Sequence, residues 1–237
     1  MKNLIHKSLL LIAAVSAMVS CLPEREFMYT DTGMCSVIGH NRLKTDGGSI
    51  YNIAENPSQL AIADSLKRVM ISCDVMSEIQ GRPNEFNIRL LDFMAAIYNE
   101  PVAASAMDEE AIGNDGVNVT QGWVSGGYLN AYINLAMQRN SDVEHDINLV
   151  FDDLRSDADT LRFLVRHNAH GDSPENEEID LGRFAVAGAY VSFPLDGILP
   201  AGGKSPVVHL EWEWYNGTEG TVGSREKTAK SGNLVIQ

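Results

Sequence analysis

The chain is short of cysteine, of basic residues and of long apolar runs, and each shortage excludes something. Three cysteines in 237 residues are too few for a secreted scaffold held together by several disulfides. Eighteen Lys and Arg stand against 32 Asp and Glu, for a formal net charge of −14. Binding a phosphate backbone needs clustered basic side chains, so a nucleic-acid role is disfavoured. One apolar run stands out, residues 9–19, and it falls well short of the roughly 20 residues that span a bilayer core. Gly217, Gly220 and Gly223 miss the spacing of a dinucleotide-binding loop. What is present is ordinary globular composition, with 44% hydrophobic residues, 20 Gly and 8 Pro. That is material for one large or two small domains.

Residues 1–20 carry Lys2 and Lys7, no acid, and then the apolar run, the pattern of a removable export signal. The next residues, Met18-Val19-Ser20-Cys21, resemble a bacterial lipobox. That resemblance implies that Cys21 carries the lipid and becomes the new N-terminus, with residues 21–32 as a tether. The other reading is an ordinary secretory signal with a cysteine nearby. Several acyl chains on one cysteine anchor a protein firmly, since each buried methylene contributes about 0.8 kcal/mol. Leu22 after the cysteine, rather than Asp, implies outer-membrane delivery, and Glu24 and Glu26 resemble the acidic export signal of surface lipoproteins in Bacteroidales. Removing Lys2 and Lys7 with the signal takes the formal charge from −14 to −16. The two remaining thiols, Cys35 and Cys73, are either a disulfide pair in an oxidising compartment or two small buried hydrophobes.

The mature body reads as strands. At residues 67–79, Val69, Ile71, Cys73 and Val75 alternate with Met70, Ser72, Asp74 and Met76, one face in and one face out. Strands are expected at 36–43, 49–53, 67–79 and 85–97, with one helical piece at 56–66. Thr45-Asp46-Gly47-Gly48 and Gly81-Arg82-Pro83-Asn84 mark hairpin turns. This arrangement predicts a small barrel of the OB type over 33–100, ideally with one more strand. Residues 101–118 are small and acidic and read as a connection. Beyond them lie all three tryptophans, Trp123, Trp212 and Trp214. Strands there are expected at 128–138, 147–151, 160–167, 184–193, 207–215 and 234–236, forming an antiparallel β-sandwich over 119–237. The expected class is therefore all-β, a small OB-like barrel followed by a sandwich.

The lipobox Cys21, the OB-like half with its hairpins, and Trp123-Val124-Ser125-Gly126-Gly127-Tyr128-Leu129 opening the sandwich half together resemble the NigD-like lipoproteins of Bacteroidales. The resemblance covers residues 33–237. It implies an N-terminal OB domain and a C-terminal β-sandwich, and it supplies no catalytic residues. The founding member's gene neighbours a bacteriocin gene, which implies an immunity or accessory role.

Chemistry is thinly signalled. Residues 200–205 end like a phosphate-binding loop, but Ile198 stands where its first Gly belongs and a strand follows where a helix should. Ser125-Gly126-Gly127 lacks the Gly of a nucleophile elbow, since Trp123 occupies that position. His167 and His170, with acids downstream, are the candidate metal ligands, and their spacing is not that of a helical zinc site. Asp152, Asp153, Asp157 and Asp159 are an oxygen-rich cluster without the alternate spacing of a Ca²⁺ loop. Asp64-Ser65-Leu66 and Asp159-Thr160-Leu161 match an O-glycosylation acceptor pattern of Bacteroidales, with Ser65 and Thr160 as acceptors. Aromatic side chains of the sandwich serve its core or form a platform for a glycan or peptide.

The reading that follows is a lipid-anchored outer-membrane protein of the cell envelope with a non-enzymatic binding or accessory role. It uses no cofactor, meets the membrane through Cys21, and takes an envelope protein, peptide or glycan as partner. Bacteriocin immunity is the alternative from resemblance, and a metal-dependent hydrolase built on His167 and His170 is the alternative from chemistry.

Overall fold

The computed structural model describes residues 27–200, 205–217 and 222–236, so the export signal and Cys21 lie outside the described residues. Five strands close the first half on itself: β1 (Tyr29–Gly39), β2 (Arg42–Thr45), β3 (Ile50–Glu55), β4 (Arg68–Glu78) and β5 (Glu85–Tyr98). Their neighbours run β1-β2-β3-β5-β4-β1, antiparallel except where β3 lies parallel to β5. This is the five-stranded OB-type barrel. The alternation in β4 does what its pattern predicts: Val69, Ile71, Cys73 and Val75 point inward and, with Cys35, Leu43, Tyr51, Ile88 and Leu90, fill the barrel.

Two local expectations are corrected. The stretch 36–43 is two strands, because Asn41 adopts a left-handed φ of 55° and turns the chain between β1 and β2. Asn accepts that conformation at little steric cost, and the break supplies the fifth strand. Residues 56–66 form no helix. Gln59 has φ 53°, and the Asn56 Oδ1 accepts the Leu60 amide at 2.9 Å, a closed turn that interrupts any helical ladder. The apolar Leu60, Ile62 and Leu66 instead cover the barrel core.

The disulfide reading of Cys35 and Cys73 is also corrected. Both thiols are free and buried. Cys35 lies opposite Val69 and Cys73 opposite Asp31, so the two sit four positions apart on paired strands. At about 3.3 Å per residue that is about 13 Å, roughly twice the Cα separation a disulfide tolerates. Burial first, with nearby acids, pushes the Cys73 thiol up to about 12 and raises Cys35 as well, which leaves both as inert core atoms.

The second half is a β-sandwich. One sheet holds β11 (Phe184–Pro194), β8 (Tyr128–Gln138) and β7 (Val117–Ser125); the other holds β12 (Val207–Tyr215), β10 (Thr160–Asn168), β9 (Asp146–Phe151) and β6 (Val102–Ala103). The last strand, β13 (Lys227–Ile236), ties them together: it pairs antiparallel with β12 over most of its length, then Val235 and Ile236 pair with β7. The long ladders β11–β8, β8–β7, β12–β13 and β10–β9 are antiparallel, and β10–β12 with the short β6–β9 and β13–β7 ladders is parallel. Phe163, Phe193, Leu129, Ile133, Ile147, Leu149 and Leu210 are fully buried between the sheets. The stretch 101–118 carries more than a connection, since β6 extends the second sheet and α1 (Glu109–Ile112) is capped by Asp108, which accepts the Glu110 and Ala111 amides. Gly113 follows at φ 70°, pressed so near Asn168 that a Cβ would lie 2.7 Å from its Cα. Among the described residues no helix is long and apolar enough to cross a membrane.

Barrel and sandwich are joined by β5. Its first part pairs with β4, and its end runs parallel to β11, with Ala96 opposite Tyr190 and Tyr98 opposite Ser192. A single sheet thus runs from β1 through β4, β5, β11 and β8 to β7.

Candidate functional site

Where the two halves meet, an arginine is buried. Arg68 opens β4 on the outer face of the barrel, opposite Ser36, and the sandwich covers it to 1% exposure. A buried guanidinium is costly unless each N–H finds an acceptor, and here all do. Nη1 and Nη2 grip the Asp46 carboxylate at 2.6 and 2.9 Å. Nη1 also donates to Ser36 Oγ at 3.0 Å, Nη2 to Asn130 Oδ1 at 3.2 Å and Nε to Ser192 Oγ at 3.0 Å. The guanidinium carbon lies 3.9 Å from the centre of the Tyr128 ring, a cation–π contact.

The partners complete one another. Asp46 Oδ2 accepts the Ser125 hydroxyl at 2.6 Å and an Asn130 amide N–H at 3.3 Å, and Ser192 donates to Asn130 Oδ1 at 2.7 Å. Ser36, Asp46 and Arg68 come from the barrel, and Ser125, Asn130 and Ser192 from β7, β8 and β11. The turn at Gly126 makes the approach feasible: φ is 58°, and a Cβ there would lie 2.9 Å from Asp46. The hairpin residue Asp46 and the glycine pair after Ser125, both of them turn formers by residue type, are thus also the clasp between the halves. Arg68 was not legible as a functional residue, because Lys67-Arg68 at the start of an alternating strand has the pattern of a solvated end.

Beside this clasp lies a cleft of about 660 Å³, open on one side, between the barrel and the sandwich. Its floor is the shared sheet. Met34 on β1 faces Met70 on β4, which faces Met94 on β5, a row of thioethers across three strands. The same sheet continues through Tyr190 and Tyr132, whose rings meet edge to face at 4.9 Å, to Gln121 on β7. Trp123, Tyr190, Met34 and Met70 line the cleft, with Asp31, Asp46, Ser125 and Gln121 as its polar groups. Asp31 accepts the Tyr51 hydroxyl at 2.6 Å, and burial together with that hydrogen bond raises the Tyr51 pKa far above its ordinary value.

The sequence-level candidates fall elsewhere. His167 points into the sandwich, where Nδ1 meets the Gly116 carbonyl at 3.0 Å and Nε2 meets His145 Nδ1 at 2.8 Å. His145 in turn contacts Asp172 through Nε2 at 3.3 Å. Burial outweighs the Gly116 hydrogen bond and pushes His167 down to about 4, so it donates to Gly116 as the neutral ring. Burial alone would raise Asp172, but hydrogen bonds from Ser141, Gln138 and His145 outweigh it and hold the carboxyl below its ordinary value. His170 lies on an exposed turn and pairs with Asp146 at 2.7 Å. The structure does not bring His167 and His170 to one point, and among the described residues no group of three or more His, Cys, Asp or Glu side chains is arranged to hold a metal.

Three of the four aspartates accept backbone amides, Asp152 and Asp157 within local turns and Asp153 from a residue 48 positions away. Asp152 accepts the Arg155 amide, Asp153 the Ser105 amide, and Asp157 the amides of Asp159 and Thr160. Ser65 is exposed on an irregular segment, and Thr160 begins β10. Residues 201–204, within the loop that resembled a phosphate site, lie outside the described residues. Trp214 and Tyr215 are buried core residues, while Trp123 is the tryptophan that lines the cleft.

The family model for the NigD-like C-terminal beta sandwich domain matches residues 100–224. The chain belongs to the NigD-like family. The matched stretch holds β6 to β12 and Trp123, Ser125, Asn130 and Ser192, so the sandwich side of the clasp lies within it. Solved structures similar to this NigD-like chain include a protein of unknown function from Bacteroides vulgatus, 19% identical, with a TM-score of 0.60 over 87% of this chain and 91% of that one. A NigD-like immunity protein from Bacteroides caccae is 21% identical, with a TM-score of 0.57 over 86% and 91%. A candidate lipoprotein from Bacteroides fragilis is 14% identical, with a TM-score of 0.59 over 87% and 97%. At these identities the likeness is one of fold, and it extends across barrel and sandwich together. No curated protein matches the chain.

Proposed function

We propose that this NigD-like protein is a lipid-anchored protein of the bacterial outer membrane, held by Cys21, that binds a partner in the cleft between barrel and sandwich and performs no catalysis. The observation that carries this reading is the cleft itself. It is about 660 Å³ of concave surface, with aromatic and thioether side chains on its floor and a few fixed polar groups on its walls, the usual composition of a binding site. The Arg68–Asp46 clasp holds the two walls in place, so the site is formed before a partner arrives. The lipobox and the candidate lipoprotein among the similar structures support the anchor.

The test is chemical crosslinking in cells followed by pull-down, comparing the natural protein with Gln121→Trp, which fills the cleft from an exposed position. A reproducible partner that the variant loses supports the reading. A partner retained by the variant removes the cleft from it, and an empty pull-down from both contradicts binding altogether.

A second reading is immunity to a bacteriocin, favoured by the immunity protein among the similar structures. Deleting the gene and challenging the cells with the bacteriocin encoded nearby tests it: raised sensitivity supports immunity, and unchanged sensitivity removes it.

A further inference from the structure

Resting on the reading of the cleft as a binding site, we infer that its ligand is a cationic peptide segment in extended conformation, lying along β1 so that a Lys or Arg side chain meets Asp31 on one face of the strand and its apolar neighbours meet the cleft floor on the other. Charge is the first argument. The charged residues lining the cleft are both acids, Asp31 and Asp46. Asp46 is neutralised by Arg68. Asp31 has neutral partners, the Thr32 amide at 2.9 Å and the Tyr51 hydroxyl at 2.6 Å, and among the described residues no cation pairs with it. The cleft therefore offers one carboxylate to a visiting cation and repels acidic ligands.

The floor supplies the second argument. It lies on the other face of β1 from Asp31, which stands opposite Cys73 and bonds Tyr51 on the barrel's inner side, so an extended segment that turns its basic side chains to Asp31 turns the alternate ones to an apolar surface. Met34, Met70, Trp123 and Tyr190 are that surface. A sugar ring would use the aromatic faces and leave Asp31 unused on the far face of the strand.

The third argument is the open edge of β1. It pairs with β4 from Tyr29 to Ser36, yet with β2 only from Cys35 onward. Asp31, Thr32 and Gly33 line the cleft, and among the described residues no strand pairs with their other side; the Thr32 amide there is turned to Asp31 Oδ1, so an extended backbone would be held through its own amides. A basic segment lying there would be drawn in by a body that carries −16 after loss of the signal.

The test is fluorescence anisotropy of the purified protein with a fluorescein-labelled octapeptide of alternating Lys and Val, and with its counterpart carrying Glu for Lys. The Lys peptide is expected to bind and the Glu peptide not. Asp31→Asn is expected to weaken the Lys peptide about tenfold; its amide oxygen still accepts the Tyr51 hydroxyl, so the fold is kept. Glu177→Gln, the same loss of charge at an exposed site outside the cleft, is expected to leave binding unchanged. Equal weakening by both variants, or equal binding of both peptides, overturns the inference. So does binding of chitohexaose in place of the Lys peptide. If the pull-down shows the cleft in use while the Lys peptide does not bind, the cationic class falls and the cleft reading stands.

Discussion

Arg68 is the residue on which the junction depends. It is 1% exposed and pairs with Asp46 at 2.6 Å. Removing one member of a buried pair leaves the other without its counter-charge, which typically costs about 3–5 kcal/mol. Arg68→Met is therefore expected to lower the unfolding free energy by that order, measured by urea denaturation. A change below about 1 kcal/mol would mean that water already shares the site. The cysteines make the opposite kind of prediction. With Cys73 raised to about 12 by burial and Cys35 raised as well, neither thiol is expected to react with a maleimide at neutral pH in the native state. Both are expected to react in denaturant without reductant. One or no reactive thiol after unfolding would show that they had been oxidised.

At the scale of elements, the alternating patterns of β4 and β12 were legible because a period of two over eight or more residues fits a half-buried strand and puts a helix's apolar residues on every side. The two hairpin turns at Asp46 and Gly81 were legible because their residue types supply the backbone freedom that a turn requires. The split between β1 and β2 was not, since one Asn in a left-handed conformation interrupts an otherwise continuous strand pattern. The clasp was not legible either. Its members are 36, 46, 68, 125, 130 and 192 in the chain, and only closure of the sheet through β5 and β11 brings them together. Likewise His167 and His170, three residues apart, face the core and the solvent, whereas His167 and His145, twenty-two apart, are in contact.

That histidine contact gives the loops around β9 and β10 a dependence on pH. His167 is pushed below its ordinary value, to about 4, so the folded state favours the neutral ring. Above the ordinary histidine value both folded and unfolded chains are neutral there, and the contact contributes no pH dependence. As pH falls from about 6.5 toward 4, the unfolded chain takes up the proton first, and stability is lost across that window. The loss is expected to reach on the order of 2–3 kcal/mol. His167→Asn should flatten this part of the profile, read as unfolding free energy against pH. An unchanged slope would assign the acid sensitivity to another group.

At the scale of the molecule, the proposed lipid tether would make an acidic body stand off from an anionic membrane surface and leave the cleft free to meet a partner. The tether itself is testable: Cys21→Ser is expected to move the protein from the membrane to the soluble fraction and abolish acyl labelling, and persistence of both would contradict the lipid assignment. The cleft is tested most directly by placing a photo-crosslinking amino acid at Gln121, inside it, and separately at Leu154, an exposed residue on the β9–β10 turn. Irradiated cells are expected to give a discrete adduct from position 121 and none from 154. Adducts from 154 alone, or equal yields from both, would contradict the claim that the junction cleft is where this protein binds.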